Sequence, residues 1–211
     1  MPKHSDPFRS SRRKSGIEHT TFNGEPIPFL LRLKDLRKTV KDWKAFSSDH
    51  PFQVVPHSEE KLRSMRQIPI EMDPPEHTDF RTLLEPVFKR PTQTEYRLDM
   101  EAMIGGMVTD LIGVGELEIV QGFALPLQCR ALAKLLGVSE SEAEIWKGWG
   151  MHALTKGNEL EDYSAEQFRK AEQEPGSDFF SFLNQVEMKG RLLTLEEKQG
   201  IANVTFAGGK D

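Results

Sequence analysis

The sequence predicts a mainly α-helical protein with a small β part near its N-terminus. Three observations carry that expectation. Beyond Pro86 the apolar residues recur at three- and four-residue spacing, and helix start and stop signals punctuate them. The only strand-like run of any strength lies early, and no alternation of strand and helix follows it. At 211 residues the chain can bury roughly 70% of its unfolded surface, so it needs no disulfide. Its single cysteine, Cys129, fits a reducing, cytoplasmic compartment. The net charge of −5, with the acids concentrated beyond the N-terminal tail, argues against nucleic acid as a partner. No apolar run reaches the roughly 18 residues that a membrane anchor needs.

The first fifteen residues carry Lys3, Arg9, Arg12, Arg13 and Lys14 against Asp6, with no apolar face. Residues 1–25 therefore read as a basic, disordered tail and 26–211 as one domain. PIPFLLRL, starting at Pro26, reads as a short strand. Asp35 stands at an N-cap position, and Leu36, Val40, Trp43 and Phe46 follow near helical spacing. FSSDHPFQVVPHSEE is a long loop without a period, and long loops are often functional.

In MDPPEHTDFRTLLEPVF, Asp73 is placed to cap a helix, Pro74 to open it and Glu76 to complete a capping box, while Pro86 ends or kinks it. A helix over Glu95 to Ile112 carries Met100, Met103, Ile104, Met107, Val108 and Leu111 on one face. GELEIV reads as a short strand. The stretch from Phe123 to Leu136 is an apolar helix stopped by Gly137. Ser139 opens another helix, EDYSAEQFRKAEQE suggests a further one, and EPGSD is a turn leading into SDFFSFLNQVEMKG. Thr194 and Glu197 form a capping box before the last helix.

Two features suggest chemistry. His77 and Arg81 stand four apart, so both side chains leave one helix face and together can hold an anion such as a carboxylate or phosphate. From spacing alone, a solvated polar pair is the default. Gly208 and Gly209 sit in an apolar helix, where each glycine costs roughly 1 kcal/mol relative to alanine. They imply a close backbone approach, a bend, or simply a frayed end. Cys129 lies on an apolar helix and reads as a small core residue. The six histidines show no metal-binding spacing, and no metal site is expected.

The succession FSSD, DPPEHTDFR, FALPLQCRALAKLLGV, PGSDFFSFL and TFAGGKD resembles the N-terminal half of a soluble bacterial cytochrome P450, from about Pro26 to the last residue. The resemblance implies an incomplete cytochrome P450 fold, about helices B to I. His77 and Arg81 would then lie on helix C and hold the haem propionates. FAGGKD would be the middle of helix I: Gly208 and Gly209 open the helix for dioxygen, and Asp211 belongs to the proton relay. The family's threonine would fall at position 212. The loop from His50 to Met72 would line the substrate side, and Lys89 and Arg90, otherwise a solvated pair, could dock an acidic redox partner.

The implied reaction is haem-dependent insertion of one oxygen atom from dioxygen into a small organic substrate. Electrons would come from a ferredoxin-like or flavin-containing donor. The family's cysteine ligand belongs to its C-terminal half, so this chain alone is expected to be inactive. The interval between Gly137 and Pro175 looks shortened for the family's substrate lid. Two other readings remain open. One is a truncated, non-catalytic helical protein that binds a ligand or partner and exposes apolar surface, on helix I especially. The other is an unrelated anion-binding helical domain built on His77 and Arg81.

Overall fold

The computed structural model describes residues 6–22, 24–49, 65–149 and 159–210. Contacts divide the chain into two units, Met1–His50 and Pro51–Asp211. The division falls well past the expected boundary at residue 25.

In the first unit, helix α1 (Arg9–Lys14) leads into strands β1 (Ile17–Phe22) and β2 (Glu25–Leu30) and helix α2 (Leu33–Thr39). The expected disordered tail is therefore corrected for residues 9–22. β1 pairs antiparallel with β2, from Ile17 opposite Leu30 to Phe22 opposite Glu25. That ladder satisfies backbone groups a free tail would leave to water. Arg32 donates from Nε to the Arg12 carbonyl (2.8 Å) and from Nη2 to the Lys14 carbonyl (3.0 Å), closing the C-terminus of α1. Asp35 is not a cap: α2 begins at Leu33, so Asp35 lies in its first turn, and the helix stops at Thr39.

The second unit contains α3 (Glu76–Phe88), α4 (Thr94–Asp110), α5 (Leu125–Leu136), α6 (Glu142–Gly148), α7 (Glu159–Gln173), α8 (Phe179–Gln185) and α9 (Leu195–Lys210). A two-residue hairpin, β3 (Glu187–Met188) with β4 (Arg191–Leu192), lies between the last two helices. The sequence reading missed it. Its turn uses Lys189 and Gly190, both with positive φ, the geometry that matches strand twist in tight hairpins. GELEIV forms no strand. A strand needs a partner for its backbone groups, and no described segment pairs with it. A short π-helical turn, Val120–Ala124, leads into α5 instead.

Capping explains where several helices begin. Thr194 and Glu197 form the predicted box: Glu197 N–H donates to Thr194 Oγ1 (3.2 Å), and Thr194 N–H to Glu197 Oε2 (2.8 Å). Asp178 caps α8 by accepting from the N–H groups of Phe180 (2.9 Å) and Ser181 (3.0 Å). The expected cap at Asp73 is corrected, because α3 starts at Glu76 with Pro75 at its N-cap and no side-chain cap bond. Pro86 lies inside α3 without ending it; the helix runs two residues further.

The core of this unit gathers Phe80 and Leu84 of α3, Cys129, Ala133 and Leu136 of α5, Trp146 of α6, Phe168 of α7, Phe179 and Phe180 of α8, and Ile201 and Phe206 of α9. Phe206 stacks edge-on against Trp146 (centroids 5.0 Å) and Tyr163 (5.8 Å) and lies against Trp149 (5.9 Å). Tyr163 in turn donates its O–H to Glu142 Oε2 (2.8 Å). Burial, then Glu142, pushes the phenol well above its ordinary pKa.

Apolar exposure is not where it was expected. The last helix is packed, with Ile201, Ala202 and Phe206 fully buried. The open apolar face belongs instead to α4 and the segment after it, where Ile112 is 78% exposed and Ile119 59%. On α4, Met107 is buried while Val108 is exposed.

Two stabilities follow from these contacts. The Arg191 guanidinium, 2.7 Å from Glu197, holds that carboxyl below its ordinary value against the opposing effect of burial. A carboxyl with a lowered folded pKa stabilises the protein above its unfolded pKa and loses that contribution as pH falls through the folded value. Glu197→Ala is therefore expected to cost about 1 kcal/mol at pH 7, a gap that closes in acid when both proteins are melted across pH. The second concerns Gly200 of α9, where a β-carbon would stand 2.5 Å from the Arg66 carbonyl oxygen. Backbone cannot swing aside as a side chain can. Gly200→Ala is expected to destabilise by about 1–3 kcal/mol despite alanine's better helix propensity, read by urea denaturation.

Candidate functional site

α3 positions His77 and Arg81 one turn apart, as their spacing requires. His77 is half-buried and Arg81 exposed, and neither makes a side-chain hydrogen bond or ion pair among the described residues. The guanidinium thus keeps its donors available for an anion.

A cavity of about 340 Å³ opens beside it. Arg81 and Leu84 line it from α3, Leu132 and Leu135 from α5, and Thr205, Gly208 and Gly209 from α9. Pro69 and Ile70, from the segment before α3, complete the wall. The lining is mostly apolar with one cation at its edge, which suits an amphipathic anion. The structure thus brings together three of the sequence-predicted residues: Arg81, Gly208 and Gly209. His77 is not among the lining residues, and Asp211 lies outside the described residues.

The glycine pair does not interrupt the helix. α9 continues through both glycines to Lys210. At Gly209 a β-carbon would meet Leu132 Cδ1 at 2.8 Å, whereas at Gly208 it would meet nothing within 4 Å. Close approach explains the second glycine; the first faces open space.

The wall formed by residues 65–72 is held on α9 by specific contacts. Gln67 Nε2 donates to the buried Asn203 Oδ1 (2.8 Å), and the Ile68 N–H to the Gly200 carbonyl (3.3 Å). Most of the loop expected to line the substrate side, residues 50–64, lies outside the described residues. Ile70 and Pro69, at its end, do reach the cavity.

Lys89 and Arg90 separate in role. Lys89 is exposed and pairs with Glu85 (2.9 Å). Arg90 is half-buried, donating from Nη1 to the Leu135 carbonyl (2.9 Å) and from Nη2 to the Ser177 carbonyl (3.1 Å). It ties the end of α3 to the C-terminus of α5 and the turn before α8, a role no local sequence pattern announces. Leu132 and Thr205 were likewise missed at the site, because on helical wheels they look like any core residue. Cys129 is fully buried in α5, as expected of a core position.

A second cleft, about 380 Å³, lies between α6 and α7 and is lined mainly by polar groups. Two of its three acids are already engaged: Glu142 accepts from Tyr163, and Asp178 caps α8. No group of His, Cys, Asp and Glu among the described residues could hold a metal ion. Among those residues no helix is long and apolar enough to cross a membrane.

No protein-family model matches the chain. "Probable cytochrome P450 127A1" of Sinorhizobium fredii is 28% identical over 202 residues, covering 90% of this chain and 47% of its own length. Cytochrome P450 107B1 of Saccharopolyspora erythraea is 28% identical over 149 residues, 66% of this chain and 36% of its own. A solved structure described as a carbohydrate active P450 superimposes with a TM-score of 0.90 at 43% identity, covering 98% of this chain and 56% of that one. The chain spans about half the length of the curated relatives it matches. With sequence and overall fold in agreement over that span, the chain is a homologue of the cytochromes P450 and carries about half of their fold.

Proposed function

We propose that the chain belongs to a haem-dependent monooxygenase whose haem edge is held at the Arg81 cavity. One observation carries the reading: an apolar cavity with a single available guanidinium at its rim and an open glycine on its wall. Haem is a flat apolar ring with two carboxylates, and these residues suit it. Arg81 would donate to a propionate, with His77 adding a donor one turn earlier. Leu84, Leu132 and Leu135 would exclude water from the ring. Asp211, two residues after Gly209 in the sequence, would hold and pass a proton at its carboxyl.

Haem, when bound, supplies the iron at which dioxygen is activated, one oxygen atom entering the substrate and the other leaving as water. Two electrons are needed, delivered by a ferredoxin-like or flavin-containing donor. Cys129 is fully buried in α5 and is not among the cavity's lining residues, so the thiolate ligand would come from the remainder of the fold. The chain by itself would accordingly be inactive. Likeness to a carbohydrate active P450 at 43% identity makes a carbohydrate the substrate class to test first. A second reading, a non-catalytic helical protein that binds a partner, draws support from the open apolar face of α4 and the residues after it.

Arg81→Gln is expected to weaken haem binding by about 10–100-fold, the value of a hydrogen bond to a charged group, and His77→Ala by less. Titration with haemin, followed by its visible absorbance band, measures both. Unchanged affinity in Arg81→Gln would remove Arg81 from the site. For the whole protein isolated from its source, a colourless product would favour the partner-binding reading. Sugars that fail to shift the haem spectrum, where other organic compounds do, would reject the carbohydrate class.

A further inference from the structure

We propose that Asn203 of α9 is a positioning residue for the cavity: through Gln67 it fixes where Pro69 and Ile70 stand, and so how well the cavity fits its ligand. The identity of that ligand rests on reading the cavity as the haem site; the placement of the wall does not.

Neither Asn203 nor Gln67 is among the lining residues, so any effect they have on a ligand is transmitted through others. Asn203 is 2% exposed, and burying an amide is unfavourable unless it is hydrogen-bonded. Its Oδ1 accepts from Gln67 Nε2 at 2.8 Å, a partner 136 positions earlier in the chain. An apolar side chain of similar volume would fill the same space without that requirement. The amide adds register, because a hydrogen bond is satisfied at one position along α9 and dispersion contact at many. Gly200, three residues earlier on the same face of α9, supplies closeness without register. A β-carbon there would stand 2.5 Å from the Arg66 carbonyl oxygen, so the wall segment lies directly on the helix backbone. The main-chain tie at that point, from the Ile68 N–H to the Gly200 carbonyl, is long at 3.3 Å. Asn203 holds the shorter of the two ties.

Gln67 passes the constraint on. Its backbone N–H donates to Glu71 Oε2 at 2.7 Å, and the Glu71 N–H donates back to the Gln67 carbonyl at 3.0 Å. Arg66 Nε donates to the Glu71 carbonyl (2.7 Å), and the Met72 N–H to the Pro69 carbonyl (3.1 Å). Residues 66–72 therefore form a closed turn that moves as a body. Pro69 and Ile70 stand between its bonded ends and line the cavity with Arg81. Displacing Gln67 along α9 displaces that wall while every lining residue stays the same.

The test compares Asn203→Leu, Gln67→Met and the double variant with the wild-type chain. Backbone hydrogen exchange, resolved by mass spectrometry, reads the wall directly. Each single variant is expected to speed exchange across residues 66–72 by about tenfold, while α5 and the rest of α9 keep their protection. The double variant should exchange no faster than either single one, since both remove the same bond. Unchanged exchange in the wall, acceleration spread evenly over the helices, or single effects that multiply would each overturn the role given to Asn203. Haemin titration of the same proteins reads the ligand. Both single variants are expected to bind haemin about 3–10-fold more weakly than the wild type, because the wall is no longer held in place beforehand. Wild-type affinity in both, with the wall loosened, would make Asn203 a purely structural residue and overturn its link to the ligand. If the wild-type chain takes up no haemin, the haem reading fails, and the exchange comparison still decides whether Asn203 places the wall.

Discussion

The position of α9 depends on one aromatic contact set. Phe206 is enclosed by the edges and faces of Trp146, Trp149 and Tyr163, brought from α6, the residue after it and α7. Edge-to-face pairs of this kind are directional, because each ring offers a positive edge to a negative face. They fix the rotation of α9 about its own axis as well as its depth. Gly208 and Gly209 follow within one turn, so their orientation toward the cavity and toward Leu132 is inherited from that clamp. Tyr163 is held in turn by Glu142, which makes the arrangement a bonded unit rather than a loose apolar cluster.

The helix is also thin wherever another segment must come near it. Gly200 admits the backbone of residues 66–68, and Gly209 admits Leu132. Both absences of a side chain cost helix propensity and are compensated by close packing. Between these points Asn203 accepts from Gln67, which pins the wall segment in register with α9. The cavity is therefore bounded by three elements whose separations are set by contacts outside it: Arg90 joins α3 to α5, Leu132 joins α5 to α9, and Gln67 joins the wall to α9. That division leaves Arg81 free of structural duty and available to a ligand.

Exposure follows the same logic. The apolar stripe of α4 was legible as a periodic pattern, yet its exposure was assigned to the wrong helix. Periodicity reports that a face is apolar; it does not report which neighbours cover it. Here α9 has α5, α7 and the aromatic clamp against it, whereas Val108, Ile112 and Ile119 have no such cover among the described residues.

The sequence alone determined the local events and the family. Thr194 with Glu197, Gly137 at the end of α5, and the α5, α7 and α9 helices are written in short-range patterns whose physics involves neighbouring residues only. The order of motifs pointed to the cytochrome P450 fold, and His77 with Arg81 on one face of α3 follows from helical geometry. Tertiary structure decided the rest. It made a hairpin of a basic tail, because pairing depends on a partner strand. It moved the α3 start past Asp73 and placed Arg90 on two distant carbonyls. It also separated Gly208 from Gly209, alike in sequence, by what lies 4 Å away. No local pattern can encode that distance, since it is set by residues 77 positions earlier in the chain, at Leu132 on α5.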